Sequence, residues 1–300
     1  MLSWERLRVF EAVARLGSVR AAAEELYVTG SAVSQHLRRL EREAGCRLVE
    51  ADGRGIRLTH EGRVLSVSAH EMVATATRAR QDLAAISGLV AGPLRVGAVA
   101  SVLRGLLPQT LVALTRRFPR LEPRVRDGEA ADMLPELRTR QLDAVVMESW
   151  AHAPTTMPPG THTHTLAREQ ALLAVHETHP FAGLEEVPVS TLHEQIWTSC
   201  AAGSDAHHSL LQLLRQHGVT DAQVRFCVAD YATQLQLVAA GLTAALIPQM
   251  AVPATHEGVR LIPCRPAVTR TLAVATAPAT ETPAVHAFVA EMSRAAHDLL

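Results

Sequence analysis

The sequence predicts an α/β protein in three parts: a small helical module, one long helix, and a larger region in which strands and helices alternate. Three observations lead to this fold class. Apolar residues recur at helical spacing through the first 44 residues, follow heptad spacing from about residue 60 to 90, and then form short runs alternating with amphipathic stretches. The chain of 300 residues is 48% hydrophobic and 20% charged, which excludes a disordered protein and allows more than one core.

The sequence also indicates the cellular compartment in which the protein is expected. The longest apolar run, residues 237–247, is shorter than the roughly 20 residues of a membrane span, and the N-terminus lacks the apolar segment of a signal peptide. The cysteines are far apart and never form a CxxC motif, as expected of reduced thiols. We therefore expect a cytoplasmic protein without membrane contact. The net charge of −1 does not by itself indicate a nucleic-acid partner.

The first two helices are short and end at defined residues. Leu7, Phe10 and Val13 share one face of the first helix. Gly17 suits a helix C-terminus and Ser18 suits the N-cap of the next helix, so the break between them has a chemical cause. The second helix ends before residues 27–30.

A third helix is predicted from Ser31 to about Ala44, and Gly45 ends it. Its outward stripe carries small polar and arginine side chains, which is typical of the helix that enters the major groove in a helix-turn-helix. Gln35 can bond adenine bidentately and Arg38 can bond guanine O6 and N7, while short side chains allow close approach. The alternative is the solvated face of an ordinary helix.

Residues 48–59 contain short apolar pieces around a Gly-rich turn, which predicts a hairpin next to the third helix. Such a hairpin is the wing of a winged helix-turn-helix, and it places two arginines near its tip. The predicted DNA-binding residues of the module are Thr29, Ser31, Ser34, Gln35, Arg38, Arg39, Arg54 and Arg57.

The long helix begins near His60, and its apolar residues are separated alternately by four and three positions. These residues are Leu65, Ala69, Met72, Ala76, Ala79, Leu83, Ile86 and Val90. This spacing is the a/d pattern of a coiled coil, and a helix of roughly 40 Å is too long for a small module to bury alone. We expect it to pair with a second copy as a homodimer; the alternative is packing on its own chain.

Beyond residues 92–93 (Gly-Pro), strands and helices alternate. Strands are predicted at 94–98, 124–126, 144–147, 170–175, 196–199, 223–228 and 244–247, and near 259 and 272; helices at 102–118, 132–140, 191–195, 204–217, 231–240 and 284–300; and a loop at 154–165. Alternation of this kind predicts parallel sheets covered by helices, with ligands at the carboxyl ends of the strands.

These motifs resemble the LysR-type transcriptional regulators. The likeness rests on Phe10, residues 21–26, residues 31–41, Gly45, Leu58, Thr59 and Gly62, and then on residues 92–97, Leu107, Pro108, Phe118, Pro119, Leu142, Asp143, His179, Pro180, residues 238–241, Ile247 and Pro248. It implies a winged helix-turn-helix over residues 1–59, a linker helix over 60–91 and an effector-binding domain over 92–300. That domain is expected to contain two doubly wound α/β subdomains like a periplasmic binding protein, about 94–163 with 268–300, and about 164–267.

The resemblance also implies function. A dimer is expected to read an interrupted palindrome of double-stranded DNA, and a homotetramer to form from two dimers. A small effector, anionic or polar, is expected in the cleft between the subdomains, and RNA polymerase is an expected partner.

Ser101 follows the first strand of the alternating region and starts a helix, where a hydroxyl and free N–H groups can hold a carboxylate. Other polar residues follow later strands of the same region. The predicted ligand-binding residues are Ser101, Ser149, Thr198, Ser199, Asp230 and Tyr231.

Two other classes of function were weighed. The 15 histidines and Cys200 suggest a metal- or redox-responsive regulator on the same scaffold, but no recognised zinc spacing is present. No nucleophile elbow, phosphate-binding loop or HExxH motif occurs, so we expect no enzyme, no catalytic residue, no metal ligand and no cofactor.

Overall fold

The computed structural model describes residues 2–52, 55–86 and 88–299. The chain divides into two compact units, Met1–Leu83 and Ala84–Leu300. The helices are α1 (Trp4–Leu16), α2 (Val19–Glu25), α3 (Gly30–Ala44), α4 (His60–Ile86), α5 (Ala100–Gly105), α6 (Leu107–Arg117), α7 (Ala130–Arg138), α8 (Asp205–Gln216), α9 (Tyr231–Ala239) and α10 (Pro283–Leu299). The strands are β1 (Val49–Asp52), β2 (Gly55–Leu58), β3 (Gly92–Ala98), β4 (Leu121–Asp127), β5 (Ala144–Trp150), β6 (His162–His176), β7 (Val187–Pro188), β8 (Ile196–Ser199), β9 (Gln223–Cys227), β10 (Ala245–Pro248), β11 (Val259–Ile262), β12 (Cys264–Arg265) and β13 (Val268–Thr276).

The first unit is a winged helix-turn-helix, as predicted. Gly17 ends α1 in the left-handed conformation with φ 63°, and the Ser18 hydroxyl accepts a hydrogen bond from the Ala21 N–H at 3.3 Å. Thr29 caps α3 in the same way, and β1 pairs antiparallel with β2. The three helices bury Phe10, Val13 and other apolar residues in a single core.

Helix α4 follows the wing, and the residues at its heptad positions differ in their burial. Leu65 and Ala69 pack against the core of the first unit, whereas Met72 and Leu83 are exposed. The helix ends before the last residue of the heptad pattern. Gly88 has φ +67°, and Val90 lies beyond the helix and packs against a core of the second unit. The side chain of Ile86 lies outside the described part of the chain.

The second unit is an α/β fold built on a mixed sheet with the strand order β10-β6-β13-β5-β3-β4. Strand β3 runs parallel to β4 and β5, while the long strands β6 and β13 pair antiparallel with each other. Strands β8 and β9 form a second parallel pair. The α/β prediction is confirmed: the predicted parallel pairing occurs among β3, β4 and β5 and between β8 and β9, while β6 and β13 pair antiparallel.

Three local predictions were wrong. His162 and His164 lie on β6 and not in a loop, because alternating Thr and His residues pair with β13. The helix predicted at 102–118 is divided into α5 and α6, with Pro108 in the first turn of α6. The helix predicted at 191–195 is replaced by a 3-10 turn, Val189–Thr191.

The second unit has two larger and two smaller apolar cores, and the larger ones flank the main sheet. One packs Val96, Val146, Leu272 and Phe288 between the sheet and α5, α6 and α10. The other surrounds Trp197 and packs β6 against α8. Among the described residues, no helix combines the length and the apolar character that a membrane crossing requires.

Candidate functional site

The first candidate site is the outward face of α3. Val33, Leu37 and Leu40 are buried, so the opposite face of the helix points to solvent. The side chains of Gln35, Arg38 and Arg39 are exposed on that face, and none of them has a hydrogen bond or ion pair within the described part of the chain. Free amide and guanidinium groups on an exposed helix are suited to bond base edges or phosphates.

The hydroxyl residues of α3 are partly occupied by the helix itself. Thr29 Oγ1 accepts from the Ala32 N–H at 3.2 Å and lies 2.9 Å from Ser31 Oγ. Ser34 Oγ donates to the Gly30 carbonyl at 2.9 Å. These three hydroxyls therefore fix the first turn of α3, and Ser31 is more exposed than Ser34.

The wing and the turn before α3 flank this face. Arg57 on β2 forms an exposed ion pair with Glu50 at 3.3 Å, which a phosphate could replace because exposed pairs are weak. Arg54 lies outside the described residues. Tyr27, in the turn between α2 and α3, was not predicted as a contact; its side chain is 95% exposed and its φ is 55°.

The second candidate site is a cavity of about 130 Å³ within the second unit. It lies where β3, β4, β5 and β8 end, as expected for parallel strands. Its polar lining residues are Ser101, Asp127, Glu129, Glu148, Cys200 and Tyr231. Of the predicted ligand residues, Ser101 and Tyr231 line this cavity.

The other predicted ligand residues lie around it. Thr198 and Ser199 line an adjoining space of about 10 Å³, which also contacts Cys200 and Tyr231. Ser149 Oγ accepts from the Thr155 N–H at 3.2 Å and lines neither space. Asp230 caps α9 and forms an ion pair with Arg104, so its carboxylate is already bound.

Behind the cavity lies an ion-pair network that sequence reasoning missed, which we call the Arg270 network: Arg270 with Glu148, Glu169 and Ser101. The Arg270 side chain is fully buried; Nε donates to Glu169 Oε1 at 2.8 Å, and Nη1 donates to Ser101 Oγ at 3.0 Å and to Glu148 Oε2. Burial opposes the charge, but the two carboxylates raise the pKa of Arg270 above its usual value.

The charged side chains that line the cavity are all carboxylates. Burial, together with the carboxylates of Glu148, Asp205, Asp127 and Asp132, raises the pKa of Glu129 to about 7. Burial also raises the pKa of Asp205, partly offset by the hydrogen bond from Thr155 Oγ1 at 2.7 Å. No arginine or histidine is among the described residues that line the cavity.

Cys200 and Tyr231 form the opposite wall. Burial raises the pKa of the Cys200 thiol to about 12, so the group is a neutral thiol near pH 7. Burial likewise raises the pKa of Tyr231 well above its usual value. Within the described residues, no group of three or more His, Cys, Asp or Glu side chains is arranged to hold a metal ion.

Comparison with known families gives the same division of the chain into a DNA-binding and an effector-binding part. Residues 4–63 match the family described as "Bacterial regulatory helix-turn-helix protein, lysR family", and residues 87–296 match the "LysR substrate binding domain". The chain belongs to the LysR family of transcriptional regulators. It is therefore a DNA-binding protein with a helix-turn-helix and an effector-binding domain, and the resemblance predicted from its motifs is confirmed.

Relatives of this LysR-type regulator include proteins named as activators of hydrogen peroxide-inducible genes. It is 31% identical over 247 residues to a probable hydrogen peroxide-inducible genes activator of Mycobacterium leprae, covering 82% of this chain and 78% of the relative. It is 29% identical to the DNA-binding transcriptional dual regulator OxyR of Escherichia coli K12, covering 97% of this chain and 95% of OxyR. The structure of a full-length OxyR variant from Pseudomonas aeruginosa has the same fold, with a TM-score of 0.69, 22% identity and coverage of 98% of each chain.

The LysR family accounts for the cavity but not for its acidity. Glu129 and Arg270 were missed because nothing near them in sequence indicates a site. Arg270 stands between Thr269 and Thr271 on β13, and Glu169 between Arg168 and Gln170 on β6, so neither is marked in the sequence as a charge inside an apolar run.

Proposed function

We propose that this LysR-type regulator reads its operator with α3 in the major groove and that Gln35 and Arg38 bond base edges. The observation that carries this proposal is the exposed stripe of α3, where these two side chains have no partner among the described residues. Arg57, which already pairs with a carboxylate in the wing, is assigned to a phosphate. Thr29, Ser31, Ser34, Arg39 and Arg54 are assigned to the same interface.

The test separates sequence-specific contacts with base edges from electrostatic attraction to phosphates. Fluorescence anisotropy is measured on DNA from upstream of the protein's own gene and on random DNA, across a range of salt concentrations. Gln35→Ala and Arg38→Ala are expected to cost about 1–3 kcal/mol on the specific site only, and Arg57→Ala to weaken both DNAs and reduce the salt slope.

The matched control is Arg116→Ala, which removes one exposed arginine from α6 in the other unit. It is expected to leave both affinities unchanged. Equal losses on specific and random DNA for Gln35→Ala, Arg38→Ala and Arg57→Ala would show that α3 contributes charge and not sequence recognition.

Dimerisation through α4 is assigned to the exposed apolar residues beyond Ala69. Met72 and Leu83 are 47% and 68% exposed, and apolar side chains at heptad positions are stabilised when a second helix covers them. Two copies then present two α3 helices to an interrupted palindrome. We further propose a tetramer of two dimers, contact with RNA polymerase, and action in the cytoplasm, where the DNA is located.

The effector site is assigned to the cavity between β3, β4, β5 and β8. Ser101 and Tyr231 supply hydroxyls there, and Thr198 and Ser199 lie in the adjoining space. A small effector that binds one arrangement of the domain more tightly than another shifts the population between them. No catalytic role is assigned to these residues.

A response to peroxide is a second candidate, favoured by the names of the relatives. In such a response a cysteine thiolate attacks one peroxide oxygen, giving a sulfenic acid and releasing the other oxygen as water. The buried Cys200 is poorly suited because its pKa is about 12, while Cys227 is exposed. Hydrogen peroxide is added to the wild type, Cys200→Ser and Cys227→Ser, and operator affinity is measured before and after the addition. Mass spectrometry then shows which cysteine is oxidised. An unchanged affinity in the oxidised wild type would exclude this function.

A further inference from the structure

The cavity described above is unusual in its charge. Three carboxylates line it, from Asp127, Glu129 and Glu148, and no cationic side chain is among its described lining residues. The guanidinium of Arg270 lies behind the wall, and it is shared between Glu148 and Glu169, so it offers no free charge to a ligand. The Arg270 network alone carries one more negative charge than positive.

Glu129 is the clearest example of this excess of negative charge. It is partly buried, and the charged groups that raise its pKa most are all carboxylates: Glu148 on β5, Asp205 on α8, Asp127 on β4 and Asp132 on α7. No described side chain donates a hydrogen bond to it. An ionised Glu129 therefore lacks a partner in the described chain, which is costly for a group removed from water.

Two buried hydroxyls also lack a partner around the same space. Tyr231 is 6% exposed and lines the cavity, and its Oη has no nitrogen or oxygen partner in the described chain, although it lies beside the Cys200 thiol. Thr198 is 1% exposed, and its Oγ1 is equally unpartnered in the adjoining space. Buried polar atoms are ordinarily hydrogen-bonded, so these two hydroxyls point to a bound polar group, to which each can donate or from which each can accept.

Size limits what that group can be. A cavity of about 150 Å³ accommodates benzene, so a cavity of about 130 Å³ is suited to a ligand of about five or six non-hydrogen atoms. The described residues contain no set of three or more ligating side chains for a metal ion. The favoured cation is therefore organic.

We propose that the effector of this regulator is a small organic cation, an amine or a guanidine, whose N–H groups bond Glu129 and Glu148 and whose charge balances the cavity. This inference rests on the proposed effector-binding function and replaces the expected anion by a cation. A carboxylate at Ser101 is disfavoured because the carboxylate of Glu148 binds the same Arg270 nitrogen as Ser101 Oγ and repels a second anion there.

The test uses three probes with the same four-carbon chain: 1,4-diaminobutane, butane-1,4-diol and butanedioate. Each is titrated calorimetrically into the full-length protein at pH 8. The diamine is expected to bind at least tenfold more tightly than the diol, and the dicarboxylate more weakly than the diol. A diamine that binds no better than the diol, or a dicarboxylate that binds best, overturns the proposal. Magnesium and zinc chloride are titrated as well, and binding of either in preference to the diamine also overturns it.

Variants identify the site. Glu129→Gln is expected to weaken the diamine at least tenfold, while Glu122→Gln, which removes an exposed carboxylate from β4, leaves it unchanged. Glu148→Gln is avoided because it breaks the Arg270 network. Equal affinity of the diamine for wild type and Glu129→Gln would place the cation elsewhere and refute the site.

The pH dependence provides a further check. With a pKa of about 7, about a tenth of Glu129 is ionised at pH 6 and about nine tenths at pH 8, so diamine affinity is expected to rise up to about ninefold in the wild type and to stay flat in Glu129→Gln. Operator binding is measured in parallel by anisotropy. If the protein binds its operator but does not prefer the diamine, only the proposed ligand class is refuted. If it binds the diamine but not the operator, only the assigned DNA interface is refuted.

Discussion

Replacing Glu129 by Gln is expected to change how the stability of the ligand-free protein depends on pH. Burial and four neighbouring carboxylates raise the pKa of Glu129 from 4.5 to about 7, so the folded protein holds this proton more tightly than the unfolded chain does. The contribution of Glu129 to stability is therefore greatest below about pH 4.5 and decreases as the pH rises through about 7.

The magnitude follows from the same values. A displacement of about 2.5 in pKa corresponds to about 3.4 kcal/mol, at 1.36 kcal/mol for each pKa unit. Glu129 is only partly buried, and solvent screens its repulsion from the other carboxylates. We therefore expect the wild type to lose about 1–2 kcal/mol relative to Glu129→Gln between pH 5 and pH 8.

The assay is urea unfolding of the full chain at pH 5 and pH 8, followed by tryptophan fluorescence. Trp150 and Trp197 are buried in the second unit, and a Trp4→Phe background removes the signal of the first unit. Comparison with Glu129→Gln cancels the histidines and other groups that both proteins share. A stability difference between wild type and variant that is the same at both pH values would refute the assignment of a raised pKa to Glu129.

Three further perturbations test the packing of both units. Ala76→Glu in α4 is expected to give the monomer mass by light scattering, and an unchanged oligomer would contradict pairing through this helix. Arg270→Met leaves buried carboxylates without a cation and is expected to destabilise the second unit by about 3–5 kcal/mol in urea unfolding, so a loss below about 1 kcal/mol would show that the network is neutralised by protons. Gly62→Ala places a Cβ against the Leu48 carbonyl and is expected to lower the melting temperature of the first unit by circular dichroism, whereas Gly30→Ala, where a Cβ meets only Val19 at 3.9 Å, serves as the control.

The helix-turn-helix could be predicted from sequence because the signals that define it are local. Gly17, Ser18, Thr29 and Gly45 end or cap helices that they adjoin, and each acts through backbone geometry or a hydrogen bond within four residues. The order of strands and helices in the second unit follows for the same reason. Hydrophobic periodicity and turn residues specify such elements without reference to the rest of the chain.

Heptad spacing did not predict which part of α4 is free to pair with a second helix. The spacing of Leu65 and Val90 continues the a/d pattern, but Leu65 is covered by the first unit and Val90 by the second. An apolar residue at a heptad position indicates that something covers it, and periodicity does not identify what covers it. Among the heptad residues whose side chains the structure describes, Met72 and Leu83 are exposed and available to a partner helix.

The cavity was predictable in position but not in charge. Ser101 and Tyr231, which line it, each lie where a strand is followed by a helix, the place at which ligands bind in α/β proteins. Glu129 and Arg270 are separated by 141 positions in the chain. Their common surroundings arise from the pairing of β13 with β5 and β6, which no local pattern encodes.

The same pairing connects the cavity to the strands that cross the second unit. Arg270 on β13 binds Glu169 on β6 and reaches Glu148 at the cavity wall, while Glu169 Oε2 also accepts from the Met250 N–H at 2.7 Å. A cation bound to Glu148 therefore competes with Arg270 for that carboxylate. Because β13 pairs with both β5 and β6, we expect that weakening the contact between Arg270 and Glu148 alters the packing among these three strands. This gives a charged ligand a physical means to favour one arrangement of the domain, since only a difference in affinity between arrangements can shift their populations.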